Sequence, residues 1–242
     1  MPESELFITK FFNDYLAAPG NAALSLVGKH AEARPWANFI VMQLVVVASL
    51  MLLFALLRPR LSPDKPGKFQ QIFELLYQFV RDQAEDQVGH TAYRYVAFFG
   101  VILLYVLSCN LIGLVPCFES PTMNASVTAG CALFTFAYYN LKGLQVNGWR
   151  YVLQFVGPFW WLAWLMIPIE LVSHLARLLS LTVRLYANMF AGEQVTMVFL
   201  GLTKFGPPVI FMGLHVFVGV IQAYIFMLLA MVYVGGAVAH EH

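Results

Sequence analysis

The sequence predicts an all-α fold: a polytopic transmembrane protein with about five crossings, one amphipathic surface helix and two long tilted C-terminal helices. Three observations predict it. Sixty per cent of the 242 residues are hydrophobic and only eleven per cent are charged, roughly half the charged share of a soluble domain. Apolar runs of about 20 residues, the length that crosses a hydrocarbon core some 30 Å thick, recur along the chain. The last two of them carry ionisable groups, which are costly in lipid and therefore point to function. With a formal net charge of +1 and no Lys/Arg run, nucleic acid is not an expected partner. Cys109, Cys117 and Cys131 lie in or beside apolar stretches without CxxC or metal spacing. They read as small hydrophobes, a disulfide between two of them being left open.

Residues 1–35 form an N-terminal outer-side segment, and residues 36–242 a single membrane domain. The first part holds Glu3, Glu5, Lys10, Asp14, Lys29 and Arg34 but no apolar core long enough for a secretory signal, so no cleavable leader is expected. Phe7, Phe11, Phe12 and Tyr15 suggest a short interfacial helix, a disordered tail being the alternative. Residues 36–57 make the first span, closed by Arg58, Arg60, Lys65 and Lys68. Next, Phe69, Ile72, Phe73, Leu76, Phe79 and Val80 recur at helical spacing opposite Gln70, Gln71, Glu74, Gln78 and Arg81, the pattern of a helix on the membrane surface. A soluble helix packed on a partner would share it.

Residues 95–115 and 122–141 supply two uncharged spans, with Pro116 and Pro121 bracketing their turn. The connection after the first span is basic and the loop at 142–150 carries Lys142 and Arg150, whereas 116–121 has no Lys or Arg. The positive-inside rule therefore puts the first two inside and the N-terminus outside, and five crossings leave the C-terminus inside. Residues 151–166 are apolar and aromatic but broken by Gly157 and Pro158, and Trp149, Trp160, Trp161 and Trp164 favour the interface. They read as a partly re-entrant lead-in; a full crossing would flip the C-terminus. From Pro168, a good first helical residue, a long helix runs to about 202. After Pro207 and Pro208 a second covers 209–238. Both exceed a perpendicular crossing, so they tilt, and the pair 168–238 holds the chemistry.

The ionisable groups there are Glu170, His174, Arg177, Arg184, Glu193 and His215. Arg184 lies mid-helix among apolar neighbours and cannot shed its proton, so it must face a carboxylate or a watery cavity. At 100° and 1.5 Å per residue, Ser180, Arg184 and Asn188 share one stripe, and Glu170 falls about 40° from it, about 21 Å away toward the inner surface. Glu193 points about 180° away and sits about 13 Å further toward the outer surface. On the next helix His215 and Gln222 lie close to one face, about 10 Å apart in height. An antiparallel pairing brings His215 near Glu193 and Gln222 near Arg184. The result is two polar half-paths on different sides of one buried cation, not the single lined face of a pore.

Against these readings stand plainer ones. Glu193 and His215 could brace two helices, Ser180 and Asn188 could bond backbone carbonyls, and His174 and Arg177 read as snorkelling to the inner interface. Within-helix pairing of Arg184 is disfavoured, because no carboxylate lies three or four residues away.

The run 184–193, Arg-Leu-Tyr-Ala-Asn-Met-Phe-Ala-Gly-Glu, then His215 and Gln222-Ala223-Tyr224-Ile225-Phe226, resembles the signature of the F-type ATP synthase a subunit family. So does Pro168-Ile169-Glu170, and the 114–116 turn with Ser120-Pro121-Thr122-Met123-Asn124 is similar to that family's loop between its second and third spans. The resemblance covers residues 36–242 in layout. It implies a stationary proton-translocating subunit, not catalytic by itself but essential to an H⁺-transporting rotary complex. Arg184 would be the gate opposite the c-ring carboxylate, separating two half-channels. The outer path would hold Glu193 and His215, with Asn188 and Gln222 flanking the arginine, and the inner path Glu170, Ser173 and Ser180. Implied partners are the c-ring, the peripheral stalk b subunits, the remainder of the F0F1 complex and membrane lipid, with no cofactor and no metal. The order Glu193 then His215 hints at a bacterial inner membrane, an energy-converting organelle membrane being the alternative. Rival classes fare worse. A haem-binding cytochrome needs axial histidines at matching depth, and a zinc protease needs a His-Glu-x-x-His helix that the chain lacks. A stand-alone channel or transporter is the strongest rival, since it too would bury Arg, Glu and His.

Overall fold

The computed structural model describes residues 6–26, 34–62, 67–89, 91–115, 118–148, 151, 163–203 and 206–238. Among them no strand occurs, and the protein is an all-α polytopic membrane protein. Helices α1 (Phe7–Tyr15) and α2 (Ala17–Leu26) precede α3 (Asn38–Leu57), and α4 (Lys68–Val88), α5 (Val96–Ile112) and α6 (Ala125–Asn147) follow. The chain closes on α7 (Ala163–Leu202) and α8 (Pro207–Val238). By length and composition α3, α7 from Trp164 and α8 can each cross a membrane. Helix α5 is equally apolar but has 17 residues. Helix α6 has 23, and buries Thr128, Thr135 and Tyr139 on the side that meets its neighbours.

The element ends differ from expectation for local reasons. Helix α6 starts at Ala125 because the Asn124 side chain caps it, accepting from the Ser126 N–H at 3.0 Å. It also continues six residues past 141, so Lys142 lies within the helix and reaches Gln145 at 2.9 Å. Helix α7 begins at Ala163, before Pro168, which is contained inside it. The proline removes only the bond that the Trp164 carbonyl would accept, a tolerable loss in the second turn. The re-entrant segment expected at 151–166 falls mostly outside the described residues; its last four belong to α7.

Helix α8 is the axis of the fold, packing against α4, α5, α6 and α7. Phe99, Val106, Ala132, Tyr139, Leu185 and Phe226 belong to one buried cluster where these helices meet. Backbone close approach tightens the α4–α8 contact: a Cβ on Gly235 would lie 2.6 Å from the Gln87 carbonyl oxygen. The Tyr224 hydroxyl donates to Gln83 Oε1 at 3.1 Å, and its ring meets that of Phe79. Another side of α4 leaves Phe69, Ile72 and Leu75 exposed, as a surface-lying amphipathic helix requires.

The N-terminal residues fold back onto the start of α3. Asn13 bonds the Trp36 backbone both ways, Oδ1 accepting at 3.0 Å and Nδ2 donating at 3.2 Å. The Trp36 indole donates to the Leu16 carbonyl at 2.6 Å. Phe7, Phe11 and Tyr15 point outward while Thr9 and Asn13 are buried. Helix α1 thus takes the place of the disordered alternative, and α2 is an element that the sequence pattern did not suggest. Cys109 and Cys131 are free thiols.

Candidate functional site

Three apolar residues set the rotation of α7. Leu181, Leu185 and Met189, spaced four apart, are buried in the cluster that holds Ala223, Phe226 and Met227 of α8. Each is one residue past a polar one, so Ser180, Arg184 and Asn188 lie 100° to one side. That side is not covered by this chain: Ser180 and Asn188 are exposed, Arg184 is half-buried, and Leu179 and Val183 beside them are exposed too. The ion pairs found among the described residues are Arg81–Glu85 and His174–Glu170. Neither gives Arg184 a counter-charge. A permanent cation therefore sits on an apolar helix face that opens out of the subunit.

One polar link crosses the α7–α8 seam next to it. Asn188 Nδ2 donates to Gln222 Oε1 at 2.8 Å, so the antiparallel arithmetic brings Gln222 to the arginine's neighbourhood, as the sequence implied. Gln222 is 2 % exposed, and its Nε2 has no partner among the described residues. Asn188 bonds across the seam and not to its own helix. Ser180 likewise has no bond to an α7 carbonyl among the described residues, whereas Thr182 and Thr196 do bond back to theirs.

Further toward the C-terminal end of α7, buried His215 abuts Gly192, where any Cβ would overlap the imidazole Nδ1. Glycine is needed there because the ring occupies the space a side chain would fill. The contact sets His215 against the residue before Glu193, which is half-buried. No hydrogen bond or ion pair joins Glu193 to His215 among the described residues.

A second polar network was not anticipated. Asn110 Nδ2 donates to the Gly219 carbonyl at 3.0 Å and its Oδ1 accepts from Thr122 at 2.9 Å. Thr122 meets Ser120 Oγ at 2.8 Å, and Ser120 donates to the Cys109 carbonyl at 2.8 Å. These bonds tie the α5–α6 turn to α8 midway between His215 and Gln222. The signal available in the sequence was an amide inside an otherwise apolar span.

Nearer the start of α7, His174 corrects the snorkelling reading. It is 6 % exposed, with Nδ1 2.9 Å from the Tyr139 hydroxyl on α6 and Nε2 3.3 Å from Glu170 Oε1. Its ring therefore faces into the bundle. Arg177, three residues on, does lie exposed, its guanidinium 5.7 Å from the Tyr233 ring. Ser173 is half-buried next to this group.

These features define a class: a helical membrane protein whose polar groups gather on one helix pair and whose arginine looks outward for a partner. Comparison with known proteins makes the class specific. Residues 39–235 match the family described as ATP synthase A chain, and the chain belongs to that family. It is 64 % identical over 232 residues to ATP synthase subunit a of Solibacter usitatus (strain Ellin6076), covering 96 % of this chain and 100 % of the relative. With ATP synthase subunit a of Koribacter versatilis (strain Ellin345) it shares 46 % identity over 242 residues, 98 % of each chain. With that of Geobacter sulfurreducens (strain ATCC 51573 / DSM 12127 / PCA) it shares 36 % over 219 residues, 90 % of this chain and 92 % of the relative.

Proposed function

We propose that this chain is the stationary proton-translocating subunit of a rotary F-type ATP synthase. The observation that carries the reading is the outward-facing Arg184, which has no carboxylate of its own chain to neutralise it among the described residues. A cation on an apolar helix face within the membrane is stable only against an opposite charge or water, and the c-ring carboxylates supply that charge in trans. Residues 36–242 act as the membrane unit, 168–238 as the pair that shapes the half-channels, and 1–35 as the outer-side segment. The c-ring rides on the uncovered face of α7, and the peripheral stalk b subunits and the rest of the F0F1 complex complete the assembly in a bacterial inner membrane.

The mechanism follows from charge. As a c-ring carboxylate reaches Arg184, attraction favours its ionised form, and the proton departs along the inner path by way of Ser180, Ser173 and Glu170. An ionised carboxylate cannot enter lipid, so onward rotation waits for a proton from the outer path of Glu193 and His215. Asn188 and Gln222 hold the seam on the outer flank of the arginine. The fixed charge between the two paths prevents a proton from passing straight through.

Arg184→Ala in an assembled complex tests this reading. It should abolish proton-driven ATP synthesis in membrane vesicles, with assembly followed by recovery of the c-ring with the variant chain. Near-normal synthesis in the assembled variant would refute the gate.

A further inference from the structure

The inner end of the site contains a group that the scheme above does not use. His174 is buried in a long apolar helix, yet each ring nitrogen meets a different titratable side chain: Tyr139 Oη at 2.9 Å on one side and Glu170 Oε1 at 3.3 Å on the other. The Tyr139 partner comes from another helix, 35 residues away in sequence. Beside the imidazole lies a cavity of about 210 Å³ walled by Tyr139, Tyr151, Glu170, Arg177 and Tyr233 as well as by His174 itself. Those five are the titratable groups that face His174, from α6, α7, α8 and the segment after α6. A cavity of that size walled by hydroxyl and charged groups has the room and the polar partners that bound water needs. The Glu170 side chain is 40 % exposed, so the chain of groups reaches the surface of the subunit. A smaller void of about 10 Å³ also borders Tyr139, walled by Thr135, Leu178 and Leu181.

A histidine that merely braced two helices would need one hydrogen bond and dry packing around it. His174 instead joins two proton-bearing groups through both nitrogens at the wall of a polar chamber. We propose that His174 is a proton-transfer residue of the inner path, passing protons between Tyr139, the chamber water and the Glu170 carboxylate. The proposal rests on the half-path reading given above. In the exit direction Nδ1 takes the Tyr139 proton as the Nε2 proton passes to the Glu170 carboxylate. Tyr139 is reprotonated from the membrane side, and Glu170 releases its proton to the inner water. One proton enters the ring and one leaves, so its charge is unchanged, and chamber water returns the tautomer.

The test uses inverted membrane vesicles carrying the whole ATP synthase, with assembly verified by recovery of the c-ring. His174→Gln preserves most of the volume and a hydrogen bond to Tyr139 but cannot take up a proton; ATP-driven proton pumping should fall roughly tenfold. In His174→Ala, added imidazole should restore pumping, whereas pyrazole, of the same shape but a far weaker base, should not. Normal pumping by the assembled His174→Gln complex overturns the proposal, as does rescue by both azoles alike or by neither. Where the alanine variant does not assemble, the glutamine variant alone decides. Arg184→Ala vesicles separate this proposal from its parent: if they pump normally the half-path scheme is wrong, and if they are inert while His174→Gln pumps normally only the role of His174 falls.

Discussion

Asn188 and Gln222 are joined at 2.8 Å across the α7–α8 seam, four residues past the arginine on one helix and buried on the other. The bond couples the arginine's own helix to the one that carries His215, so the position of Arg184 is not independent of that helix. Interhelical bonds of this kind contribute about 0.6 kcal/mol in a bilayer. A double-mutant cycle with Asn188→Ala and Gln222→Ala, read by detergent unfolding of the assembled complex, should return a coupling of about that size. Strict additivity would mean that the two side chains do not meet.

Gly192 leaves the space that the His215 imidazole fills. Gly192→Ala should push the ring away from the seam, costing about 1–3 kcal/mol by overpacking and lowering ATP synthesis. Adding His215→Ala should relieve the clash and restore assembly without restoring synthesis. Recovery of synthesis in the double variant would remove His215 from the outer path.

The α4–α8 contact allows a comparison within two adjacent residues. A Cβ at Gly235 meets a backbone carbonyl that cannot swing aside, whereas at Gly236 nothing lies within 4 Å. Gly235→Ala should destabilise the complex by about 1–3 kcal/mol. Gly236→Ala should be neutral or slightly stabilising, since alanine is the better helix former. Thermal inactivation of the two variants side by side checks this, and equal midpoints would contradict the close approach.

Orientation is testable by labelling. Thr122 is fully buried and unsuited to a probe, but Ala125 and Gly67 are exposed. In a background free of Cys109, Cys117 and Cys131, an impermeant thiol reagent applied outside should reach Ala125→Cys and miss Gly67→Cys. The reverse pattern would exchange the inner and outer paths.

Much of this architecture was legible in the sequence because a bilayer imposes a length and helical geometry imposes an angle. The apolar runs located α3, α5, α6, α7 and α8, and angular spacing alone put Ser180, Arg184 and Asn188 on one stripe and Gln222 within reach of it. What escaped depended on partners far along the chain. His174 looked like an interfacial residue because Tyr139, its buried partner, lies on α6. Asn110 gave no helical pattern, since its bonds go to the α5–α6 turn and to a backbone carbonyl of α8. The starts of α6 and α7 moved for smaller reasons, a side-chain cap at Asn124 and a proline harmless so near a helix start.

The length of α7 carries a mechanical implication. Forty unbroken residues span about 60 Å, twice a hydrocarbon core of about 30 Å, so a fully embedded α7 lies closer to the membrane plane than to its normal. Along such a helix, successive positions move sideways more than they change depth. Arg184 and Glu193 then differ chiefly in lateral position, as do Arg184 and Glu170 in the opposite sense. Seen from one side of the membrane, the site is left–right asymmetric, and on the proposed scheme proton arrival and proton departure fall on opposite flanks of the charge. On that scheme the slope of a single helix would fix the sense of the torque: a rotor passing this surface with protons driven from outside would advance in only one direction, and reversing the proton gradient would reverse it.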